Sequence, residues 1–422
     1  MKTSLPHKPD VTTELQLTKI YAAYMRAIGS TWKVARPFFE ARSNLLVFEN
    51  RGLNNVVAAI IDLIGWGVRM IRARRAAGGG FPACDVLIYY SSKKPSVYPI
   101  LEILGSQLAG KGYRCAVVSL EGMTLKFRDT ISQVAETQVV AYTQLLNGGV
   151  GWRWSAFLLA VSLFYTCLLA VLILAREPQI FLRVFSNPFN VWHAFLLSAR
   201  RLQIADQIMQ EIKPRLLITR GDHLPMASAL ALSKHAASAH TVWFFNEAPT
   251  REVLPCLSKD MWVYNQQVID SLKKIMPVAS QPDFHIVGNA EADFVLAAAD
   301  QPTPEGIRLS QQIGTCDALL YCSDFIPDLR LGEGAIVEEI LWLAQAAGQC
   351  PHWRFIYKPR PGRDAKDTPG IEKIVGLPNV IIPQDDVPLS HFLRCSNVRA
   401  VGSRESTALF VAAGVGKMAL RF

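Results

Sequence analysis

From Asp85 onward, short and nearly continuous apolar runs alternate with longer stretches whose apolar residues recur every three or four positions. The first kind reads as strands buried on both faces, the second as helices laid against a sheet. "DVLIYYSS" predicts a strand, "YPILEILGSQLAGKG" a helix stopped at Gly112, and "YRCAVVSLEG" a second strand. Two strands joined this way form a parallel βαβ unit. The rhythm resumes with strands in "PRLLITRGD", "HTVWFFNE", "DMWVYN" and "FHIVGN", and a helix in "LPMASALALSKHAAS".

A second series starts near Gln301. "CDALLYCSD", "WRFIYKPRP", "NVIIPQ", "NVRAVGS" and "KMALRF" predict strands, interleaved with helices in "AIVEEILWLAQAAG", "VPLSHFLRCS" and "ESTALFVAAG". The predicted class is α/β, with two Rossmann-like doubly wound domains. The linker "AAADQPTPEG", with Pro302 and Pro304, divides them. The expected organisation is a helical or interfacial segment over 1–80, a first Rossmann-like domain over 81–300, and a second over 301–422.

One region, 151–199, breaks the pattern. Its run "WSAFLLAVSLFYTCLLAVLILA", Trp154 to Ala175, carries no charge and matches the thickness of a bilayer's hydrocarbon. A core helix of a soluble domain would keep a polar stripe. Predicted strands of one domain flank this run, and a single crossing would separate them. A re-entrant or in-plane hairpin, a monotopic anchor, is therefore expected. Upstream, "VVAAIIDLIGWGVRMIRARR" joins apolar residues to Arg69, Arg72, Arg74 and Arg75 and reads as an interfacial helix on an anionic membrane surface.

Composition narrows the setting. The 422 residues carry a net charge of +9 with 50% hydrophobic and 19% charged residues, which suits anionic lipid or phosphorylated ligands. The basic residues do not interleave with aromatics in any recognisable module, so no nucleic-acid partner is expected. The 8 cysteines are scattered without a CxxC pair, which predicts buried thiols in a reducing compartment and no metal site. The amino terminus lacks the apolar core of a signal peptide. The expected location is the cytoplasmic face of the inner (plasma) membrane, monotopic or peripheral.

Open α/β sheets bind ligands beyond the carboxyl ends of their strands. In the second domain those ends carry Ser323, then Lys358 and Arg360, then Asp385, and finally Ser403. Ser403 is placed to cap a helix whose free N–H groups would hold phosphate, with Ser406 and Thr407 adding hydroxyls. Lys358 and Arg360 supply matching cations. In the first domain, Asp222 and His223 follow one strand and Glu247 the next, where a general base for an acceptor hydroxyl would sit. His235 and His240 flank a helix–strand junction and read as structural. The turn from Gly288 to Asp293 is placed at a domain interface.

These stretches, from "DMWVYNQQVIDSLKKIM" through "IYKPRPGRD" and "LPNVIIPQDDVPLSHFLRCSNVRAVGSRESTALFVAAG", resemble the donor-binding half of GT-B glycosyltransferases. The likeness is to the bacterial surface-polysaccharide group: capsule polysaccharide transferases, polysialyltransferases and glycerophosphotransferases. It covers about two-fifths of the chain. Family members often have Lys-Pro-His-Pro where this chain has Lys358-Pro359-Arg360-Pro361, and Glu-Ala where it has Phe410-Val411. The resemblance implies transfer of a sugar, or a sugar-like phosphate unit, from a nucleotide-activated donor to a lipid-linked or surface-polysaccharide acceptor. It implies a donor phosphate held by Lys358, Arg360, Ser403, Ser406 and Thr407, and a nucleotide met by Ser323 and Asp385. No tightly bound cofactor is implied; the nucleotide-sugar is a co-substrate. Two other readings stay open: a nucleotide-sugar epimerase of the same fold, and a degenerate, non-catalytic glycan-binding or scaffold subunit.

Overall fold

In a computed structural model of the chain, the apolar runs pair into two sheets whose strands are all parallel to their neighbours. The structure describes residues 27, 36–38, 83–90, 104–105, 107–119, 138–141, 152–185, 188–219, 221, 225–244, 256–276, 281–297, 304–323, 333–359, 365–383, 387, 389–404 and 406–421. The expected interfacial helix within 56–75 lies outside them.

The first sheet contains β1 (Val86–Tyr90), β2 (Cys115–Ser119), β3 (Gln138–Ala141), β4 (Leu216–Thr219), β5 (His240–Phe244), β6 (Asp260–Val263) and β7 (Asp283–Ile286). Their order is β3-β2-β1-β4-β5-β6-β7. The second contains β8 (Ala318–Cys322), β9 (Arg354–Lys358), β10 (Val380–Ile381), β11 (Val398–Ser403) and β12 (Met418–Arg421), in the order β10-β9-β8-β11-β12. Both sheets grow outward in two directions from a central strand, the doubly wound arrangement that the alternating pattern predicts. The four residues of β3, QVVA, are too few to display a period, so the strand has no signature in the sequence pattern.

Among the described residues between β3 and β4 are three helices: α1 (Trp152–Arg176), α2 (Pro178–Val184) and α3 (Pro188–Ile212). The carboxyl half of α3 is an ordinary crossover helix. Ala205, Ile208, Met209 and Ile212 are buried in one cluster with Leu87 and Leu217 of the sheet. Each large side chain so covered contributes about 1.5–3 kcal/mol relative to an exposed one. The amino half of α3 instead runs antiparallel to α1. Tyr165 stacks on Phe195 at 6.0 Å, and Leu169 and Ile173 share a cluster with Val191 and Ala194 nearer the connecting turn.

The register Val86↔Leu216 joins β1 directly to β4. The chain thus returns to the sheet it left, as the hairpin expectation requires. Among the described residues, α1 is the one helix long and apolar enough to cross a membrane: over Phe157–Arg176 the mean hydropathy is 2.7, and 22% of its most apolar window is buried. Phe157, Phe164, Val171 and Leu174 are exposed along it.

The helix expected over 224–238 is shorter, because α4 (Pro225–Ala231) stops early. Asp206 on α3 accepts the Ser233 hydroxyl at 2.7 Å and the Lys234 backbone N–H at 2.9 Å, which draws the chain out of helical register. A 3-10 turn, Ala236–Ser238, follows.

Further on are α5 (Gln266–Ile275), α6 (Ala290–Ala297), α7 (Pro304–Ile313), α8 (Glu333–Gln349), α9 (Leu389–Arg394) and α10 (Ala408–Gly414). Helices therefore stand on both sides of the proline-bearing linker. Ala292 and Val295 of α6, and Leu309 and Ile313 of α7, are buried with Ile356, Phe392 and Val401 in the core of the second sheet. Gly414 allows α10 to approach α6 closely: a Cβ there would lie 2.6 Å from that of Ala292.

Candidate functional site

The second sheet changes direction between β8 and β11, and the crevice over such a switch point is where open α/β sheets take their ligands. Register places the expected residues along this edge. Cys322 of β8 pairs with Lys358 of β9, and Gly402 of β11 pairs with Tyr321 of β8. Ser323 donates its backbone N–H to the Lys358 carbonyl at 3.0 Å. Ser403 donates its hydroxyl to the Cys322 carbonyl at 2.7 Å. Lys358, Ser323 and Ser403, far apart in sequence, thus stand side by side on three adjacent strands, all buried.

Alternation along the strands sorts them onto two faces. Lys358 shares the face of Cys322 and Val401, under α9 and α10, with its ammonium 6.0 Å from the centre of the Phe392 ring. That places the cation within the range of attraction to an aromatic face. Ser403 alternates with Val401 and so belongs to this face. The opposite face carries Tyr321 and Tyr357, stacked at 6.2 Å, beneath α8. Ser323 belongs there: its side chain hydrogen-bonds to the Tyr357 hydroxyl, which also reaches Thr368 Oγ1 at 3.3 Å. Burial pushes the Tyr357 hydroxyl above its ordinary pKa, with Ser323 and Thr368 opposing that shift.

Arg404 and Glu339 also occupy this edge, and the sequence reading names neither as a site residue. Glu339 projects from α8, is 5% exposed, and accepts the Tyr321 hydroxyl at 2.6 Å. Arg404 Nε lies 3.1 Å from the other oxygen of the same carboxylate. The position of Arg404, directly after Ser403 at a strand's carboxyl end, is the signal that could have found it. Glu339 sits inside an ordinary amphipathic helix pattern and gave none.

One expectation is corrected. Ser403 does not cap the following helix, because α10 begins at Ala408 with Thr407 in the cap position. Ser406 serves this turn, accepting the Ala408 N–H at 3.2 Å through its hydroxyl. Ser403, the last residue of β11, ties two strand ends together instead. Asp222, His223, Glu247, Arg360 and Asp385 lie outside the described residues. His240 Nε2 meets Asp260, which also receives His285 Nε2 at 2.6 Å. Among the described residues, no three His, Cys, Asp or Glu side chains are grouped to hold a metal ion.

No family model and no curated protein matches this sequence. Solved structures do. UDP-GlcNAc 2-epimerase from Neisseria meningitidis bound to UDP-GlcNAc aligns with a TM-score of 0.50 at 12% identity, covering 80% of this chain and 81% of that one. UDP-GlcNAc 2-epimerase from Methanocaldococcus jannaschii aligns with 0.50 at 11% identity, covering 79% and 82%. S. aureus MnaA with UDP aligns with 0.50 at 9% identity, covering 80% and 78%.

The chain has a GT-B-like fold.

Within this GT-B-like frame, Phe410 has a clear position. Its ring lies 5.7 Å from that of Tyr264 and packs on the cluster of Trp243, Met261 and Val263 in the first sheet. A residue of α10 therefore contributes an apolar contact to the first half of the molecule.

Proposed function

We propose that this protein is an enzyme acting on a nucleotide-activated sugar, with the donor phosphates seated over the carboxyl edge of β8, β9 and β11. The adjacency of the Lys358 and Ser403 strand ends at the switch point, both on the face beneath α9 and α10, carries this reading. A buried ammonium at the carboxyl end of a strand beside the switch point is suited to a nucleotide phosphate. Arg360, two residues beyond Lys358 in sequence, would add a second cation. The fold neighbours support the same ligand class, since the Neisseria enzyme is bound to UDP-GlcNAc and the S. aureus protein to UDP.

Two reactions fit that ligand. Epimerisation of a UDP-sugar is the reading favoured by the fold neighbours. Transfer of a sugar or sugar-like phosphate unit to a lipid-linked or surface-polysaccharide acceptor, as in capsule biosynthesis, is favoured by the exposed apolar flank of α1. A soluble sugar nucleotide needs no such surface, whereas a membrane-borne acceptor does. In the transferase reading, the protein works at the cytoplasmic face of the inner membrane and takes a base from Asp222, His223 or Glu247.

The deciding experiment incubates the full chain with UDP-GlcNAc, first alone and then with lipid-linked glycan acceptors. An isomer formed without acceptor establishes epimerisation. Nucleotide release only with acceptor establishes transfer. If neither occurs, and no UDP, CMP, CDP or GDP species raises the melting temperature, the proposal is rejected.

A further inference from the structure

At the root of the α1–α3 hairpin is a cavity of about 580 Å³, within the size range of small-molecule sites. It shares no residue with the Lys358–Ser403 edge. Its walls differ in chemistry. α1 supplies an apolar side, Phe157, Leu158, Val161 and Tyr165. Opposite, Gln203, Asp206, Gln207 and Gln210 of α3, with Arg36 and Lys234, supply a polar one. Phe157 belongs both to this wall and to the exposed apolar flank of α1, so the apolar side of the cavity continues into that flank.

Two polar atoms lie enclosed behind the polar wall. Arg36 Nε and Gln203 Oε1 are both buried and have no hydrogen-bond partner among the described residues. Such a donor and acceptor are costly to leave unsatisfied. Its charge is also unbalanced. Arg36 pairs with Asp206 at 2.7 Å. Asp206 fixes the backbone of Lys234 and the hydroxyl of Ser233, which holds Lys234 at the rim with no ion pair among the described residues. Among the described residues that line the cavity, one formal positive charge is left over.

We propose that this cavity binds an amphiphile with one hydrocarbon chain and an anionic phosphate head. The chain lies along Phe157, Leu158 and Val161, and the phosphate meets Lys234 at the rim. A neutral amphiphile would leave the Lys234 charge unanswered, and free phosphate would leave the apolar wall wet. The site does not depend on which reaction the nucleotide cleft performs.

The test uses the full chain in a neutral detergent, with dodecyl phosphate as probe and native mass spectrometry or calorimetry as readout. Dodecyl phosphate should bind, with inorganic phosphate and dodecyl maltoside at least roughly tenfold weaker. Ala199, also on the cavity wall, gives a filling variant, Ala199→Trp, which should abolish binding. The rim variant Lys234→Glu, at an exposed position, should weaken it roughly tenfold or more. Thermal stabilisation by nucleotides, where present in the parent, should persist in both. Equal binding of dodecyl maltoside overturns the anionic head, and stronger binding of inorganic phosphate overturns the chain site. Unchanged dodecyl phosphate affinity in Lys234→Glu overturns the proposal even where Ala199→Trp fails to fold.

Discussion

Arg404 Nε stands 3.1 Å from a Glu339 oxygen, and the other oxygen of that carboxylate holds the Tyr321 hydroxyl at 2.6 Å. The group therefore links β8, α8 and the residue just past β11. Removing one partner of a buried pair leaves the other's charge uncompensated. Because Arg404 is 30% exposed, water recovers part of the loss in Arg404→Ala. Glu339→Ala should destabilise by about 2–3 kcal/mol and Arg404→Ala by about 1 kcal/mol, read from urea midpoints at constant slope.

Of the two cations described at this edge, Arg404 is paired with Glu339, and Lys358 lies on the face beneath α9. Lys358→Met keeps most of its volume against Phe392 and removes its charge. Nucleotide diphosphate affinity should fall about 10–100-fold by calorimetry with little change in melting temperature, since a charge-assisted bond is worth about 1.5–3 kcal/mol. Arg360→Ala should weaken binding in the same direction. An unchanged affinity in Lys358→Met would remove the phosphate from this edge.

Asp85, just before β1, accepts the Arg114 backbone N–H at 3.0 Å, and that bond holds its carboxyl below the usual carboxylate range, with the Arg114 and Arg215 charges assisting. A lowered native pKa stabilises the fold fully above the unfolded value, about 3.9, and the stabilisation is lost as pH falls through the native value. Asp85→Asn should therefore be less stable than the parent at pH 7. The gap should close as pH drops below about 4, as followed by denaturant titration at several pH values.

Cysteine chemistry separates a watery from a lipid setting for α1. Burial pushes the Cys115 thiol up to about 11, so it should resist alkylation in the native state. Cys167 is exposed on α1. In native membranes a charged maleimide should leave Cys167 unmodified, and it should label after denaturation in SDS, as mapped by peptide mass. Rapid labelling in membranes would place that flank of α1 in water.

The sequence was most informative where burial on both faces suppresses polar residues. LLIT, ALLYC and FIYK stand out because no water-facing side chain interrupts them. Long-range register is a different kind of information. That Ser323 and Ser403 end neighbouring strands, yet face opposite sides, follows from the β8–β11 pairing rather than from either local pattern. The early stop of α4 depended on Asp206, and the pairing of Arg404 depended on Glu339. Both partners are distant residues inside helices of ordinary periodicity. Phe410 shows the same limit: its apolarity reads locally as helix core, and only the tertiary structure places it against Tyr264.

The adjacency of β1 and β4 has a consequence for biosynthesis. The central seam of the first sheet cannot close until the ribosome has released the whole apolar hairpin, since Leu216 follows α1, α2 and α3. Until then β1 keeps an unpaired edge, a state prone to aggregation for as long as it lasts. A membrane that captures α1 as it emerges would hold the two halves of the seam close together and shorten that exposure. The hairpin would then assist the folding of the sheet before it serves any ligand.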